Sequence, residues 1–112
     1  MYEYQAIVTA VIDGDTVHAD VDLGMRVHFK TILRLYGINS PELSTDAGKV
    51  AKQFTIDWLA ANTLANTVRI RTYKDKTEKY GRYLADIYKL DGTGDSLNIA
   101  LVESNNAVVY MV

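Results

Sequence analysis

The chain has 112 residues, enough for one domain with a single core, and its formal net charge is −2. Hydrophobic residues make up 48% and charged residues 23%, the balance of a folded globular chain rather than a disordered one. Cysteine is absent, which excludes a disulfide framework, a disulfide-linked partner and any thiolate metal site, so a metal here must meet oxygen or the two histidines.

Residues 4–12 (YQAIVTAVI) are rich in β-branched and aromatic types and stop at an Asp-Gly turn signal. Beyond that turn, Val17, Ala19, Val21 and Leu23 alternate with His18, Asp20 and Asp22, the period of a half-buried strand that Gly24 ends. Residues 26–36 (RVHFKTILRLY) read as a third, longer strand of an antiparallel meander. The period changes after Ser44: Ala47, Val50, Ala51, Phe54, Trp58 and Ala61 fall at spacings of three and four and predict one apolar helix face. Ser44, Thr45 and Asp46 offer N-cap oxygens, and Asn62 can close the other end. Residues 67–73 and 82–90 return to strand character, a short second helix is expected near 96–104, and 107–112 reads as a final strand segment. The order β-β-β-α-β-β-α over residues 1–112 predicts one small closed barrel with two helices, because closure removes the edges a five-stranded sheet would expose.

The longest apolar runs are too short to cross a bilayer, and MYEYQ lacks the basic-then-apolar order of a signal peptide. The expectation is an intracellular chain without a membrane partner. Charge is segregated along the chain. Residues 13–22 hold Asp13, Asp15, Asp20 and Asp22 with no Lys or Arg, while residues 69–82 hold six basic residues against Asp75 and Glu78. Such a division suits a metal pocket beside a phosphate-binding face, although solvated loops of opposite sign produce it too.

Four clusters carry candidate chemistry. DGDT at 13–16 brings Asp13 and Asp15 together, two hard oxygen donors suited to calcium or magnesium, in a turn that is common between strands on its own account. Arg34 lies between Leu33 and Leu35, where an unpaired guanidinium is costly. Its partner is expected to be Asp15, Glu42 or a substrate phosphate. NSPE at 39–42 uses Pro41, the chain's single proline, to fix a turn from which Asn39 and Glu42 project. Glu42 has the chemistry of a general base and also that of an ordinary surface carboxylate. KYGR at 79–82 ends the basic stretch with a second guanidinium, and Tyr80 there is suited either to stack on a base or to cover the barrel. Together these are the parts for phosphodiester hydrolysis: a metal to neutralise phosphate oxygen, a base to activate water and arginines to hold transition-state charge.

The ordered set IDGDT, LRLYGINSPE, KYGRYLADIY and LNIALV resembles the staphylococcal nuclease (thermonuclease) family over roughly residues 5–110. The resemblance implies a five-stranded OB-type barrel with packed helices and a calcium-dependent nuclease acting on DNA or RNA. It implies calcium ligation at Asp15, with Asp13 close by, at Asn39, and at the backbone carbonyl of Ser40. Arg34 and Arg82 match the family's phosphate-binding catalytic arginines, and Glu42 its general base. Tyr80, Lys79 and Tyr110 match substrate contacts. Several features depart from the pattern. Asn39 stands where a second carboxylate is usual, the loop after Glu42 is short, the sequence stops before the family's third helix, and the overall charge is acidic. The competing expectation is a barrel that has lost catalysis and binds nucleic acid or protein. A monomer is the favoured state.

Overall fold

Five strands in the computed structural model, which describes residues 2–77 and 82–110, close into a barrel in the order β1-β2-β3-β6-β5. The strands are β1 (Tyr2–Asp13), β2 (Thr16–Asp22), β3 (His28–Leu35), β5 (Thr67–Thr77) and β6 (Tyr83–Lys89). A long first strand makes closure possible. β1 pairs with β2 over most of its length and with β5 through Tyr2 to Ile7, and it has irregularities between Val8 and Ala10 and between Val11 and Asp13. Such bulges bend a strand and let it serve two neighbours. The barrel shuts where β3 and β6 run parallel, with Leu33 opposite Tyr83, Arg34 opposite Leu84 and Leu35 opposite Ala85. The fold is therefore the small closed barrel with helices expected from the element order, and the α+β, OB-type barrel that the resemblance implies.

Inward positions alternate as a pleated strand requires. Ala6, Val8, Val17, Ala19, Leu33, Leu35, Val68, Ile70, Ala85 and Ile87 are all at most 2% exposed and form one core. Helix α1 (Asp46–Asn62) lies against β1, and α2 (Leu97–Glu103) adds Leu97 and Leu101 to the same core. A two-stranded sheet of β4 (Ile38–Asn39) and β7 (Val108–Val109) stands beside the barrel. It pairs Asn39 with Val108 and so fixes the segment that follows Arg34.

The helix face differs from the one the spacing predicts. Gly48, Ala51, Thr55 and Leu59 are buried, Phe54 and Trp58 are partly buried, and Val50 is exposed, as are Ala47 and Ala61. Contact here is made by small residues that let backbone approach backbone, so hydrophobicity alone misplaces the centre of the face. Thr45 is the N-cap, its hydroxyl accepting from the Gly48 N–H, and the C-terminal end is closed by Thr63 rather than Asn62. None of the helices among the described residues is long and apolar enough to cross a membrane.

Candidate active site

The turn joining β1 to β2 is clamped onto α1. The Gly14 carbonyl accepts a 2.7 Å hydrogen bond from the Thr55 hydroxyl, and a Cβ at Gly14 would lie 2.9 Å from the Ala51 Cβ. Only glycine allows so close a seat. Asp13 and Asp15 therefore leave a turn held from below by a helix. Thr55 and Ala51 drew no attention as site residues, because their contact joins positions 41 and 37 apart in sequence.

Asp15 is buried, 6% exposed, and three groups donate to its carboxylate. Arg34 Nη1 (3.2 Å) and the Ser40 N–H (3.0 Å) donate to Oδ2, and the Thr16 hydroxyl (3.0 Å) donates to Oδ1. Of the partners open to Arg34, the structure thus selects Asp15. Arg34 Nη1 also donates to the carbonyls of Ile38 (3.1 Å) and Leu35 (3.4 Å), while Nη2 donates to Asn39 Oδ1 (3.1 Å). One guanidinium draws Asp15, Asn39 and the β3–β4 corner together.

Glu42 is exposed, and its backbone is pinned. Its carbonyl accepts from the Thr45 N–H (3.0 Å) and the Thr45 hydroxyl (2.7 Å), so the N-cap of α1 also fixes the residue before it. A Cβ at Gly48 would come within 1.8 Å of the Glu42 carbonyl oxygen, which makes glycine necessary there. Burial raises the Asp13 carboxyl above its ordinary value and the Asp15 charge raises it further; Lys52 and Arg82 oppose this, and Glu42 adds to it. Four charged side chains thus act on Asp13 at the β1–β2 turn. Lys52 was not singled out from the sequence, since on a helix it reads as a solvated charge.

The remaining calls fall elsewhere. Tyr110 is 47% exposed, and its N–H donates to the Gly37 carbonyl at 2.8 Å, close to the β3–β4 corner. Lys79 and Tyr80 lie outside the described residues. Asp20 and Asp22 stand at the far end of β2, roughly 16 Å or more along the strand from Asp15 at ordinary rise per residue. Asp20 pairs with His28, and Asp22 accepts from the Gly24 N–H. They do not supplement the pocket. In the basic stretch, Arg69 and Arg71 both pair with Glu3, so part of that charge is already neutralised.

Several oxygen donors gather around Arg34. Asp15 and Asn39 present oxygens to one cationic group, Asp13 leaves the same turn, and the buried Ser40 hydroxyl has no hydrogen-bond partner among the described residues. Oxygens of this kind suit calcium or magnesium. The set is lean in charge, and among the described residues there is no cluster of three or more His, Cys, Asp or Glu side chains that could hold a metal.

The family model for staphylococcal nuclease homologues matches residues 32–112. The chain is also similar to "Endonuclease YhcR" of Bacillus subtilis (strain 168), with 26% identity over 121 residues. That match covers 98% of this chain and 9% of the relative, so the chain spans about a tenth of the length of the curated protein it matches. With a closed five-stranded barrel, its acidic turn held against an arginine, and a family match over most of its length, the chain belongs to the staphylococcal nuclease homologues.

Proposed function

We propose that the chain is a nuclease that hydrolyses phosphodiester bonds of DNA or RNA. The observation that carries this reading is the convergence of Arg34 on Asp15 and Asn39, in a turn whose Asp13 feels the charges of Arg82, Glu42 and Lys52. Family membership and the likeness to an endonuclease support it.

In this reading Asp15, Asn39 and Ser40 hold calcium, with Asp13 close by, and the ion when bound neutralises charge on a phosphate oxygen. The chain's own residues do the rest. Arg34 is half-buried and fixed by four hydrogen bonds, so its planar fork is set in place before substrate arrives. Arg82 supplies a second fork from the start of β6, and the two guanidinia hold the extra negative charge that develops at phosphorus. Glu42 is exposed on a pinned backbone and takes a proton from the attacking water. The exposed Tyr110, with Lys79 and Tyr80, contacts the substrate outside the reacting centre.

The test is cleavage of single-stranded DNA and RNA in calcium, in magnesium and in chelator. Cleavage is expected in calcium, lost in chelator and restored by adding calcium back. Arg82→Ala should lower turnover by about 10²–10³, the cost of one transition-state donor, with a much smaller effect on binding. Cleavage undiminished in chelator, or an Arg82→Ala protein with unchanged turnover, would overturn the mechanism.

A further inference from the structure

The barrel closes on a short pairing. β3 and β6 run parallel over three residue pairs, Leu33 to Leu35 against Tyr83 to Ala85, whereas β1 and β2 share seven. These are also the strands that deliver the two arginines of the site: Arg34 lies within β3, and Arg82 directly precedes β6. Three pairs hold two strands weakly, the more so because a parallel ladder is slightly less stable per residue than an antiparallel one.

Where that ladder ends, Asn98 of α2 bridges the two strands. It is 4% exposed. Its Nδ2 donates to the carbonyl of Tyr36 (3.0 Å), one residue past the end of β3, and on β6 to the Ala85 carbonyl (3.2 Å) and Asp86 Oδ1 (3.0 Å). Its Oδ1 accepts from the Ile87 N–H at 3.2 Å. The Ala85 carbonyl also accepts from the Tyr36 N–H at 2.9 Å, so Tyr36 and β6 share one amide side chain and one backbone bond. The amide has a single workable orientation, since turned over its oxygen would face two carbonyls and a carboxylate. A second tie reinforces the first. The Tyr36 ring stacks on Tyr73 with centroids 4.0 Å apart, and the Tyr73 hydroxyl donates to Asp86, the carboxylate that Asn98 also meets. Tyr36 is thus held by its carbonyl and by its ring, and both holds lead to β6. Just beyond it, the Ile38 carbonyl and the Asn39 side chain accept from Arg34.

We propose that Asn98 is a positioning residue that sets the spacing between Arg34 and Arg82, an inference that rests on the nuclease reading above. A phosphate shared by two guanidinia needs both forks at a fixed separation, and a displacement of about 1 Å costs up to roughly a hundredfold in rate. Asn98 acts through Tyr36 and Ala85, and so through the strands that carry the two arginines. Without its amide, β3 and β6 would rest on their three residue pairs and the Tyr36 N–H.

The experiment is a double-mutant cycle on cleavage of single-stranded DNA in calcium, with Asn98→Ala, Arg82→Ala and the two combined. Asn98→Ala should lower kcat about tenfold per folded molecule and leave KM nearly unchanged. In the Arg82→Ala background no second fork remains to be spaced, so the same change should lower kcat by less than about twofold. Equal losses in both backgrounds, or no loss in either, would make Asn98 a structural residue alone and overturn the proposal. Tyr73→Phe keeps the stacked ring and removes only a part-buried hydroxyl, so its fold should persist. It should show the same dependence on Arg82 with a smaller loss, and it decides the matter by the same criterion if Asn98→Ala does not fold. Amide hydrogen exchange supplies a readout without cleavage: the Tyr36 N–H should lose protection in both variants while amides of the β1–β5 pairing keep theirs. The two readings fail separately. A wild type that cuts nothing, with Tyr36 loosened in the variants, would sink the nuclease and keep the Asn98 tie; cleavage with Tyr36 equally protected in every protein would do the reverse.

Discussion

A carboxylate as buried as Asp15 has given up most of its hydration, and three donors replace that water. Arg34 is its charged partner, so the two residues hold each other in a part-buried corner and neither is easily removed. For this reason Arg34→Ala confounds catalysis with folding, and Asn39 is the cleaner probe of the pocket. Asn39 contributes a neutral oxygen at 3.1 Å from Arg34 Nη2. Asn39→Asp keeps the shape, strengthens that contact and adds a negative charge beside Asp15. Calcium affinity rises with the charge of its ligands, so calcium titration of cleavage should shift to lower concentration, by about tenfold if the charge acts at full effect. Asn39→Ala should shift it the other way. Matching titrations for wild type, Asp and Ala would remove Asn39 from the ligand set. The distance of Asp20 and Asp22 from the turn leaves them unable to mask the result.

At the scale of elements, α1 matters to the site through what it supports. Thr55 is fully buried, and its hydroxyl satisfies the Gly14 carbonyl of the acidic turn. Thr55→Val keeps the volume and strands that carbonyl, which should cost about 1–3 kcal/mol in denaturant unfolding. Activity should fall by more than the lost folded fraction, because Asp13 and Asp15 ride on the loosened turn. Activity falling only in step with folded protein would show that the clamp is structural alone. This clamp is also where the sequence was hardest to read. Strand alternation and the helix period were legible because water and core impose them residue by residue. Thr55 and Gly48 are buried by close backbone contact with Gly14 and Glu42, which no local pattern encodes. Arg34 was legible for the opposite reason, since a guanidinium among leucines requires an anion somewhere. β7 falls within the final strand segment expected at 107–112, whereas β4 and its pairing were missed, two residues being too few to show a period.

The seam between β6 and α2 has its own signature. Asn98 on α2 donates to the Tyr36 and Ala85 carbonyls and to Asp86, and it accepts from the Ile87 N–H. The Tyr73 hydroxyl also donates to Asp86, and the Tyr73 ring stacks on Tyr36. Burial raises the Asp86 carboxyl above its ordinary 3.8, more than its hydrogen bond from Tyr73 and the charge of Arg71 lower it. The folded chain then keeps a proton that the unfolded chain releases, so this group's contribution to stability falls as pH rises from about 4 through the raised value. Asp86→Asn removes the titrating group while keeping one acceptor. Its melting temperature should lack that downward component of the pH dependence. Identical pH slopes in wild type and Asp86→Asn would assign the dependence to other groups.

Across the whole molecule, the proposed nuclease activity asks an acidic chain to hold a polyanion with few cations. The net charge of −2 opposes approach at long range, but salt screens that repulsion within about 10 Å at 0.1 M. What remains is local: Arg34 and Arg82 at the turn, with Lys52 beside Asp13, while Arg69 and Arg71 are engaged with Glu3. Two or three neutralised phosphates predict a slope of roughly −1.5 to −2 for log affinity against log salt on single-stranded DNA. Removing one of these cations, as in Arg82→Ala, should reduce the slope by about 0.7. The measurement is anisotropy titration in chelator at several salt concentrations, wild type beside variant. A slope beyond about −4 would mean that more cations than these reach the strand and that the footprint is larger. A slope near zero would sink phosphate recognition altogether. The barrel would then be a protein-binding module, and its arginines would be kept only to hold Asp15 and the turn in place.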